Sequence, residues 1–126
     1  MEKTENKRIK VGVVGPCGAG KTTLVKNLAL MGWEIRHIAQ EHSYIQTMWK
    51  KITNPDILIF LDASYEVTME RRKFSWTQQE YLEQQRRLNH ARDHADLYLM
   101  TDGLSPEVIA DKVYQFLEKK NANRSE

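Results

Sequence analysis

The segment GPCGAGKTT, residues 15–23, constrains the fold of this chain more than any other stretch of its sequence. Gly15, Gly20, Lys21 and Thr22 match the pattern G-x-x-x-x-G-K-[ST], and the flanking residues predict a strand before it and a helix after it. Glycines allow positive φ angles and close backbone approach, so successive N–H groups can converge on phosphate oxygens beside a helix N-terminus. The segment therefore predicts a phosphate-binding loop; a glycine-rich turn that contains Lys-Thr by chance is the less favoured interpretation.

The residues of this loop have distinct expected roles. Lys21 is expected to place its ammonium group on the β- and γ-phosphates, and the Thr22 hydroxyl is expected to coordinate Mg²⁺. Gly18, Ala19 and Thr23 line the same turn through their backbone or side chains. The sequence thus predicts that the loop binds ATP or another NTP together with Mg²⁺.

A magnesium ion at the loop needs a second anchor, which is usually a carboxylate at the end of a neighbouring strand. Asp62 ends the most hydrophobic run of the chain, and Glu41 follows the alternating segment EIRHIA. Both are predicted at the carboxyl edge of a parallel sheet, where α/β folds bind ligands. Asp62 is almost equally consistent with a turn or capping residue, whereas Glu41 is favoured for function because Gln40 and His42 gather beside it. The sequence leaves open which carboxylate holds the metal.

Phosphoryl transfer also needs positive charge near the transferred group. Two groups of basic residues are candidates: Arg71, Arg72 and Lys73 at one predicted helix end, and Arg86, Arg87 and Arg92 on the next helix. Arginines on a helix that also carries glutamates more often form a solvated, ion-paired face. Arg71 and Arg72 are the favoured pair for a role in transfer, because they follow the Asp62 strand most closely.

Composition and length narrow the remaining classes of protein. A chain of 126 residues is expected to form one domain, and no apolar run approaches the roughly 20 residues that cross a bilayer. The start, MEKTENKRIK, has no apolar signal core, so a cytoplasmic location without membrane contact is expected. The net charge of +2 is too small to indicate nucleic-acid binding.

Cysteine and histidine add no prediction of a further site. Cys17, the only cysteine, excludes an internal disulfide and a cysteine metal cluster, and is interpreted as a small residue in a tight loop rather than a redox group. His42 is interpreted as a solvated loop histidine. The spacing of the other three histidines does not predict a zinc site.

Short β-rich runs alternate with helical patterns along the chain. Strands are predicted at 9–14, 34–39, 57–62 and 97–100, and helices at 21–31, 44–52, 65–73, 78–93 and from Ser105 and Pro106 to 120. Thr77 and Glu80 have the spacing of a capping box. The alternation implies parallel pairing in a three-layer α/β sandwich. The domain is assigned to 8–120, with disordered tails at 1–7 and 121–126.

Segments that together cover most of the chain resemble the P-loop kinases of small molecules, above all the deoxynucleoside and nucleotide kinase group. GPCGAGKTTLVKNLA is similar to their phosphate loop (Walker A) and first helix. PDILIFLDASYEVTMERRK resembles their segment P-D-x-x-x-x-L-D-x-S-x-E, which leads into an arginine-bearing lid, with Asp62, Arg71 and Arg72 in the matching places. QEHS is weakly similar to their E-R-S element near magnesium, with Glu41 in the acidic place and His42 where the family has arginine. TDGLSPEVIADKVYQFL resembles their last loop and helix, which implies that 101–105 borders the nucleotide base.

The resemblance is incomplete in one region. These kinases insert a strand and several helices before the L-D strand to hold the acceptor, whereas about 25 residues, 33–56, fill that interval here. The resemblance therefore implies a P-loop NTPase fold whose sheet has about four strands in the order 2-1-3-4, without the outermost kinase strand. EIRHIA would then lie at an edge with unpaired N–H and C=O groups, and a homodimer that completes the site is a hypothesis.

The sequence favours a Mg²⁺-dependent ATP- or NTP-binding protein that acts as a kinase-like phosphotransferase or an NTP hydrolase. In a kinase, Lys21 and Thr22 would bind the donor phosphates and metal, and Glu41 or Asp62 would position the metal or a small-molecule acceptor. ATP is favoured over GTP because no N/T-K-x-D element that would read guanine is found. The alternative is a nucleotide-binding regulatory or partner protein with little or no turnover, which the shortened interval favours.

Overall fold

The structure is a computed structural model, and it describes residues 9–72 and 75–124 of the chain. The tail predicted at 1–7 lies outside the described residues, and so does Lys73. The strands are β1 (Val11–Val14), β2 (Ile35–His37), β3 (Ile57–Asp62) and β4 (Leu97–Met100). They form one fully parallel sheet in the order β2-β1-β3-β4, which confirms the predicted sheet.

The position of each strand in the sheet follows its residue pattern. All six residues of β3 are buried, as expected for an apolar run that pairs on both sides within the sheet. The edge strand β2 is shorter than the predicted 34–39, and its pairing ends where the Ile38 N–H donates to the Val13 carbonyl at 3.0 Å. Because β1 ends one residue later, β2 has no further partner and the chain turns away.

Six α-helices and one 3₁₀ helix are present in the described part of the chain. The α-helices are α1 (Lys21–Leu30), α2 (Met48–Ile52), α3 (Tyr65–Arg72), α4 (Gln78–Arg87), α5 (Asn89–His94) and α6 (Pro106–Arg124), and the 3₁₀ helix spans Gln40–His42. The helix predicted at 44–52 is therefore reduced to its last five residues.

Two helix boundaries differ from the sequence prediction. The helix predicted at 78–93 is divided at Leu88, whose fully buried side chain packs toward the sheet while its N–H contacts the carbonyls of both Gln84 and Gln85 at 3.1 Å. The tail predicted at 121–126 is also partly wrong, because α6 continues to Arg124. No glycine or proline after Pro106 ends that helix, so its backbone hydrogen bonds continue beyond residue 120.

The capping box predicted at the start of α4 is confirmed. The Glu80 N–H donates to Thr77 Oγ1 at 3.0 Å, and the Thr77 N–H donates to Glu80 Oε1 at 2.8 Å. These bonds satisfy two backbone donors that the first helical turn leaves unpaired. The start of α4 is thereby fixed close to the end of α3.

Alternate residues of β3 face two different helical layers. Ile57, Ile59 and Leu61 belong to an apolar cluster with side chains of α1 and α6, whereas Leu58 and Phe60 belong to a second cluster with side chains of α2 and α5. Burial of each of these side chains contributes roughly 1.5–3 kcal/mol. The sheet thus lies between two helical layers, and the carboxyl ends of its parallel strands meet at one edge. In the part of the chain that the structure describes, no helix is long and apolar enough to span a bilayer.

Candidate functional site

The loop between β1 and α1 has a backbone that only its glycines allow. Gly15 has φ 154°, and a Cβ at this position would lie 2.0 Å from the Leu61 carbonyl oxygen of β3. Gly20 has φ 102° and is the last residue before α1, where its carbonyl accepts the Leu24 N–H at 3.0 Å. The loop therefore lies tightly against the sheet edge and leads directly into the N-terminus of a ten-residue helix.

Lys21 turns its side chain back into this loop. Its Nζ donates to the carbonyl oxygens of Gly15 at 2.6 Å and Pro16 at 3.1 Å, and it lies 3.1 Å from Glu41 Oε2. The side chains of Lys21 and Glu41 are both only 4% exposed. Removing an ammonium group from water is costly unless it is paired and hydrogen-bonded, and these three acceptors offset that cost. The cation is thus held inside the loop by groups that anionic oxygens could replace.

Glu41 is the carboxylate that the structure brings to the loop. It lies in the 3₁₀ helix after β2, which Gln40 anchors: Gln40 accepts the Trp49 N–H at 2.8 Å and donates to the Ile45 carbonyl at 2.8 Å. One oxygen of Glu41 contacts Lys21, and the other, Oε1, is buried without a hydrogen-bond partner among the described residues. An unpartnered buried oxygen of this kind is available to a cation or a donor group.

Asp62 lies at the end of β3 as predicted, but its oxygens serve other contacts. Oδ1 accepts the Ala63 N–H and the Gln85 side-chain amide, both at 2.9 Å, and Oδ2 accepts the Tyr98 hydroxyl at 2.6 Å. Burial, followed by the bond to this carboxylate, raises the pKa of Tyr98 to about 12. Asp62 therefore ties α4 and β4 to the end of β3.

Arg71 is placed on the loop itself. Its Nη1 donates to the carbonyls of Gly18 at 3.2 Å and Ala19 at 3.3 Å and to Thr101 Oγ1 at 2.8 Å, while Nη2 donates to the Thr101 carbonyl at 2.7 Å. Thr101 is fully buried and also donates to the Asp62 carbonyl at 2.8 Å. The guanidinium thus fastens the loop to the residue that follows β4.

The other arginine candidates contact aromatic rings or a glutamate side chain. The Arg72 guanidinium lies 4.4 Å from the centre of the Trp76 ring. Arg86 and Arg87 both pair with Glu83, which lies three and four residues earlier on α4. The Arg87 Nε lies 3.0 Å from the Glu83 carboxylate. The prediction of an ion-paired helix face is therefore confirmed for these two arginines. Arg92 lies over the Phe60 ring at 4.8 Å.

Two clefts flank the loop. One has a volume of about 510 Å³ and reaches from the loop to the segment after β4; it is lined by Gly18, Gly20, Thr22, Thr23, Leu24, Arg71, Leu104, Pro106 and Ile109. Thr22 and Thr23 are exposed there. The other cleft, of about 620 Å³, lies on the side of Cys17, His42 and Arg72, and α4 forms its far wall. The structure thus brings four of the predicted loop residues and Leu104 of segment 101–105 to the first cleft, whereas Gly15, Ala19 and Lys21 do not line it.

The sequence did not predict the cluster formed by Cys17, Glu41 and His42. Cys17 Sγ lies 3.7 Å from His42 Nε2 and 4.0 Å from Glu41 Oε2, and the last two atoms are 3.7 Å apart. Gln84 of α4 holds Cys17, accepting its N–H at 2.9 Å and donating to its sulfur at 3.3 Å. Because 24 and 67 residues separate Cys17 from Glu41 and Gln84, no local spacing signals this grouping.

His37, at the end of β2, lies within electrostatic reach of the same charges. Burial, followed by the Lys21 ammonium, lowers its pKa from the usual 6.5, while Glu41 opposes the shift. Its neutral form is therefore favoured beside the loop.

No protein-family model matches this chain, and no curated protein matches it at a significant level of similarity.

Proposed function

We propose that the chain is a Mg²⁺-dependent P-loop protein that binds ATP or another NTP and acts as a kinase-like phosphotransferase or NTP hydrolase. The observation that carries the proposal is the buried Lys21 ammonium, held inside a glycine loop at the N-terminus of α1 by two main-chain carbonyls and Glu41. The N-terminus of a helix favours an anion at this place. A polyphosphate would exchange the internal partners of Lys21 for its own oxygens.

The residues present fit a magnesium ion beside the loop. Thr22 supplies an exposed hydroxyl at the first turn of α1, and Glu41 supplies a buried carboxylate whose Oε1 has no partner among the described residues. Hydroxyl and carboxylate oxygens are the ligands that Mg²⁺ prefers, usually with waters and substrate phosphates. Magnesium held by these residues would supply positive charge to offset the charge that develops during phosphoryl transfer. Glu41 is favoured over Asp62 for this role because both Asp62 oxygens already accept hydrogen bonds.

The two clefts suggest where the two substrates would lie. The cleft of about 510 Å³ that contains Thr22 and Leu104 would hold the nucleotide, with Leu104 and Pro106 against its base. The cleft of about 620 Å³ on the opposite side of the loop would admit a small acceptor or water. Arg71 would act by holding the loop carbonyls in place, so that the loop N–H groups point toward the phosphates.

A thermal-shift panel tests the proposal. The untagged protein is heated with ATP, GTP, CTP, UTP and ADP, with and without Mg²⁺, since a ligand that binds only the folded state raises its stability. We expect a shift with ATP that requires Mg²⁺ and disappears in Lys21→Ala but persists in Lys26→Ala, which removes an exposed lysine of the same helix. Equal shifts in the two variants, or none in the wild type, would reject the loop as the site.

A second candidate, a nucleotide-binding regulatory protein with little turnover, is supported by the shortened interval 33–56. This interval contains a strand of three residues, a 3₁₀ helix of three and an α-helix of five. This candidate is favoured if phosphate release from NTP is too slow to measure and if partner binding differs between the NDP-bound and NTP-bound protein. Rapid transfer to a small hydroxyl compound would exclude it.

A homodimer through β2 is also proposed. In the described sheet this strand pairs with β1 alone, so its outer edge has free backbone groups, and exposed apolar side chains follow it at Tyr44, Ile45 and Ile52. Sedimentation velocity over a wide concentration range tests this proposal. A single species at the mass of one chain throughout would argue against it.

A further inference from the structure

We propose that Cys17, Glu41 and His42 form a binding site for one zinc-class divalent metal ion on the acceptor side of the phosphate loop. The inference does not depend on nucleotide binding, because it concerns the chain without any nucleotide. Three ligand atoms of three different chemical types converge there from two segments, the loop after β1 and the 3₁₀ helix after β2.

The spacing of the three ligand atoms suits a transition metal. Their separations of 3.7, 3.7 and 4.0 Å define a triangle whose three corners are equidistant, at roughly 2.2 Å, from one point. Zinc bonds to thiolate sulfur at about 2.3 Å, to imidazole nitrogen at about 2.0–2.1 Å and to carboxylate oxygen at about 2.0–2.2 Å. An ion at or just above this point would therefore need little movement of the three side chains.

A second observation marks the same place as a site. The Glu41 side chain is 4% exposed, and its Oε1 has no hydrogen-bond partner among the described residues. An ion bound to the other oxygen, Oε2, would lower the cost of burying this charge, and a bidentate contact would also satisfy Oε1. Oε2 faces Cys17, His42 and Lys21, so the carboxylate already points into the cluster.

The chemistry of the ligands selects the class of ion. A thiolate and an imidazole suit borderline-soft ions such as Zn²⁺ or Co²⁺, whereas Mg²⁺ prefers oxygen ligands and keeps its waters. Binding replaces the S–H bond of Cys17 by an S–metal bond, and the proton passes to the solvent buffer. Gln84 Nε2 donates to the sulfur at 3.3 Å and acts as a positioning residue that orients this ligand.

The site has an entrance and an open coordination position. His42 is 60% exposed and Cys17 is half-buried, and both line the cleft of about 620 Å³ beside the loop. An ion held by three protein ligands would keep a fourth position toward this cleft for water or a small ligand, as in zinc sites that are not purely structural. Among the described side chains, Lys21 also contacts Oε2 of Glu41, at 3.1 Å.

The test uses the fact that the chain contains a single cysteine. Labelling of Cys17 by a thiol reagent is followed in untagged, nucleotide-free protein with no metal, with equimolar Zn²⁺, or with millimolar Mg²⁺. We expect Zn²⁺ to slow labelling by on the order of 10-fold, because the free thiolate is the nucleophile and coordination to the metal occupies it, and we expect Mg²⁺ to have no effect. His42→Asn and Glu41→Gln should remove the protection. His94→Asn, the matched control at another exposed histidine, should retain it.

Cobalt provides a second readout for variants whose stability changes. One equivalent of Co²⁺ should give a thiolate-to-metal charge-transfer band that Zn²⁺ displaces and that Cys17→Ser abolishes. Each of four results would overturn the proposal. The first two are a failure of zinc to protect Cys17 in the wild type and protection that survives His42→Asn. The other two are a loss of protection in His94→Asn and protection by Mg²⁺ alone. Zinc binding without nucleotide binding would reject the proposed function and leave this inference intact. Nucleotide binding without zinc binding would reject this inference and leave the proposed function intact.

Discussion

Replacing Glu41 by glutamine removes the charge of the buried Lys21–Glu41 pair while keeping nearly the same shape. Both side chains are 4% exposed, and their charged atoms are 3.1 Å apart. Removing one partner of a buried ion pair typically costs about 3–5 kcal/mol, because the other charge stays buried without compensation. The new amide oxygen can still accept an N–H from Lys21, and the carbonyls of Gly15 and Pro16 remain. We therefore expect a loss of about 3 kcal/mol, at the lower end of that range.

Unfolding of the nucleotide-free protein measures this loss. For a domain of this size, about 3 kcal/mol corresponds to a fall in Tm of roughly 10 °C, which circular dichroism resolves easily. Glu83→Gln is the matched control, since Glu83 is 36% exposed and pairs with Arg86 and Arg87 at the surface. Pairs of that kind contribute about 0–1 kcal/mol.

A double-mutant cycle separates the pair from its surroundings. Lys21→Met removes the other charge of the pair, and the variant that combines Lys21→Met with Glu41→Gln removes both. The loss of unfolding free energy in the double variant should be smaller than the sum of the losses in the two single variants. The expectation is wrong if the unfolding free energy of Glu41→Gln lies within about 0.5 kcal/mol of the wild-type value. It is also wrong if Glu41→Gln loses no more unfolding free energy than Glu83→Gln.

Arg71, Tyr98 and Thr77 provide three further tests. Arg71→Lys should cost about 1–3 kcal/mol in urea unfolding, because a lysine cannot reach the loop carbonyls and Thr101 at once; an unchanged midpoint would contradict this. In pH-jump spectrophotometry the Tyr98 phenol should ionise near pH 12, so its contribution to stability is complete below pH 10 and is lost as the pH rises toward 12. Tyr98→Phe should remove one phenol from that late phase, and an unaltered titration would count against the assignment. Thr77→Ala should cost about 1 kcal/mol through loss of the capping box, whereas Ser75→Ala, at an exposed position, should not.

The strands could be predicted from the sequence because their signals are local. The apolar run of β3 and the glycine after β1 are visible within a few residues, and the resemblance to small-molecule kinases gave the strand order that the structure confirms. Helix boundaries depend on distant packing. At the division the Leu88 N–H contacts the carbonyls of both Gln84 and Gln85, and no glycine or proline marks this position in the sequence.

The roles of the site residues depend even more on long-range contacts. Asp62 ends β3 as predicted, and Glu41 lies in the 3₁₀ helix after β2, but the sequence could not show which carboxylate is occupied by other contacts, because their partners are 20 or more residues away. Gln85 and Tyr98 occupy the oxygens of Asp62, whereas Lys21 contacts Glu41. Arg71 contacts a threonine 30 residues later, which no pattern around the arginine could reveal.

Calorimetric titration of the untagged protein with ATP and Mg²⁺ measures whether the glycine loop binds a triphosphate. We expect one site per chain that saturates below about 1 mM nucleotide, which corresponds to a binding free energy more favourable than about −4 kcal/mol. We also expect Lys21→Ala to bind none and Lys26→Ala to bind as the wild type does. A wild-type protein that binds no triphosphate, or a Lys21→Ala variant with unchanged affinity, would contradict this expectation.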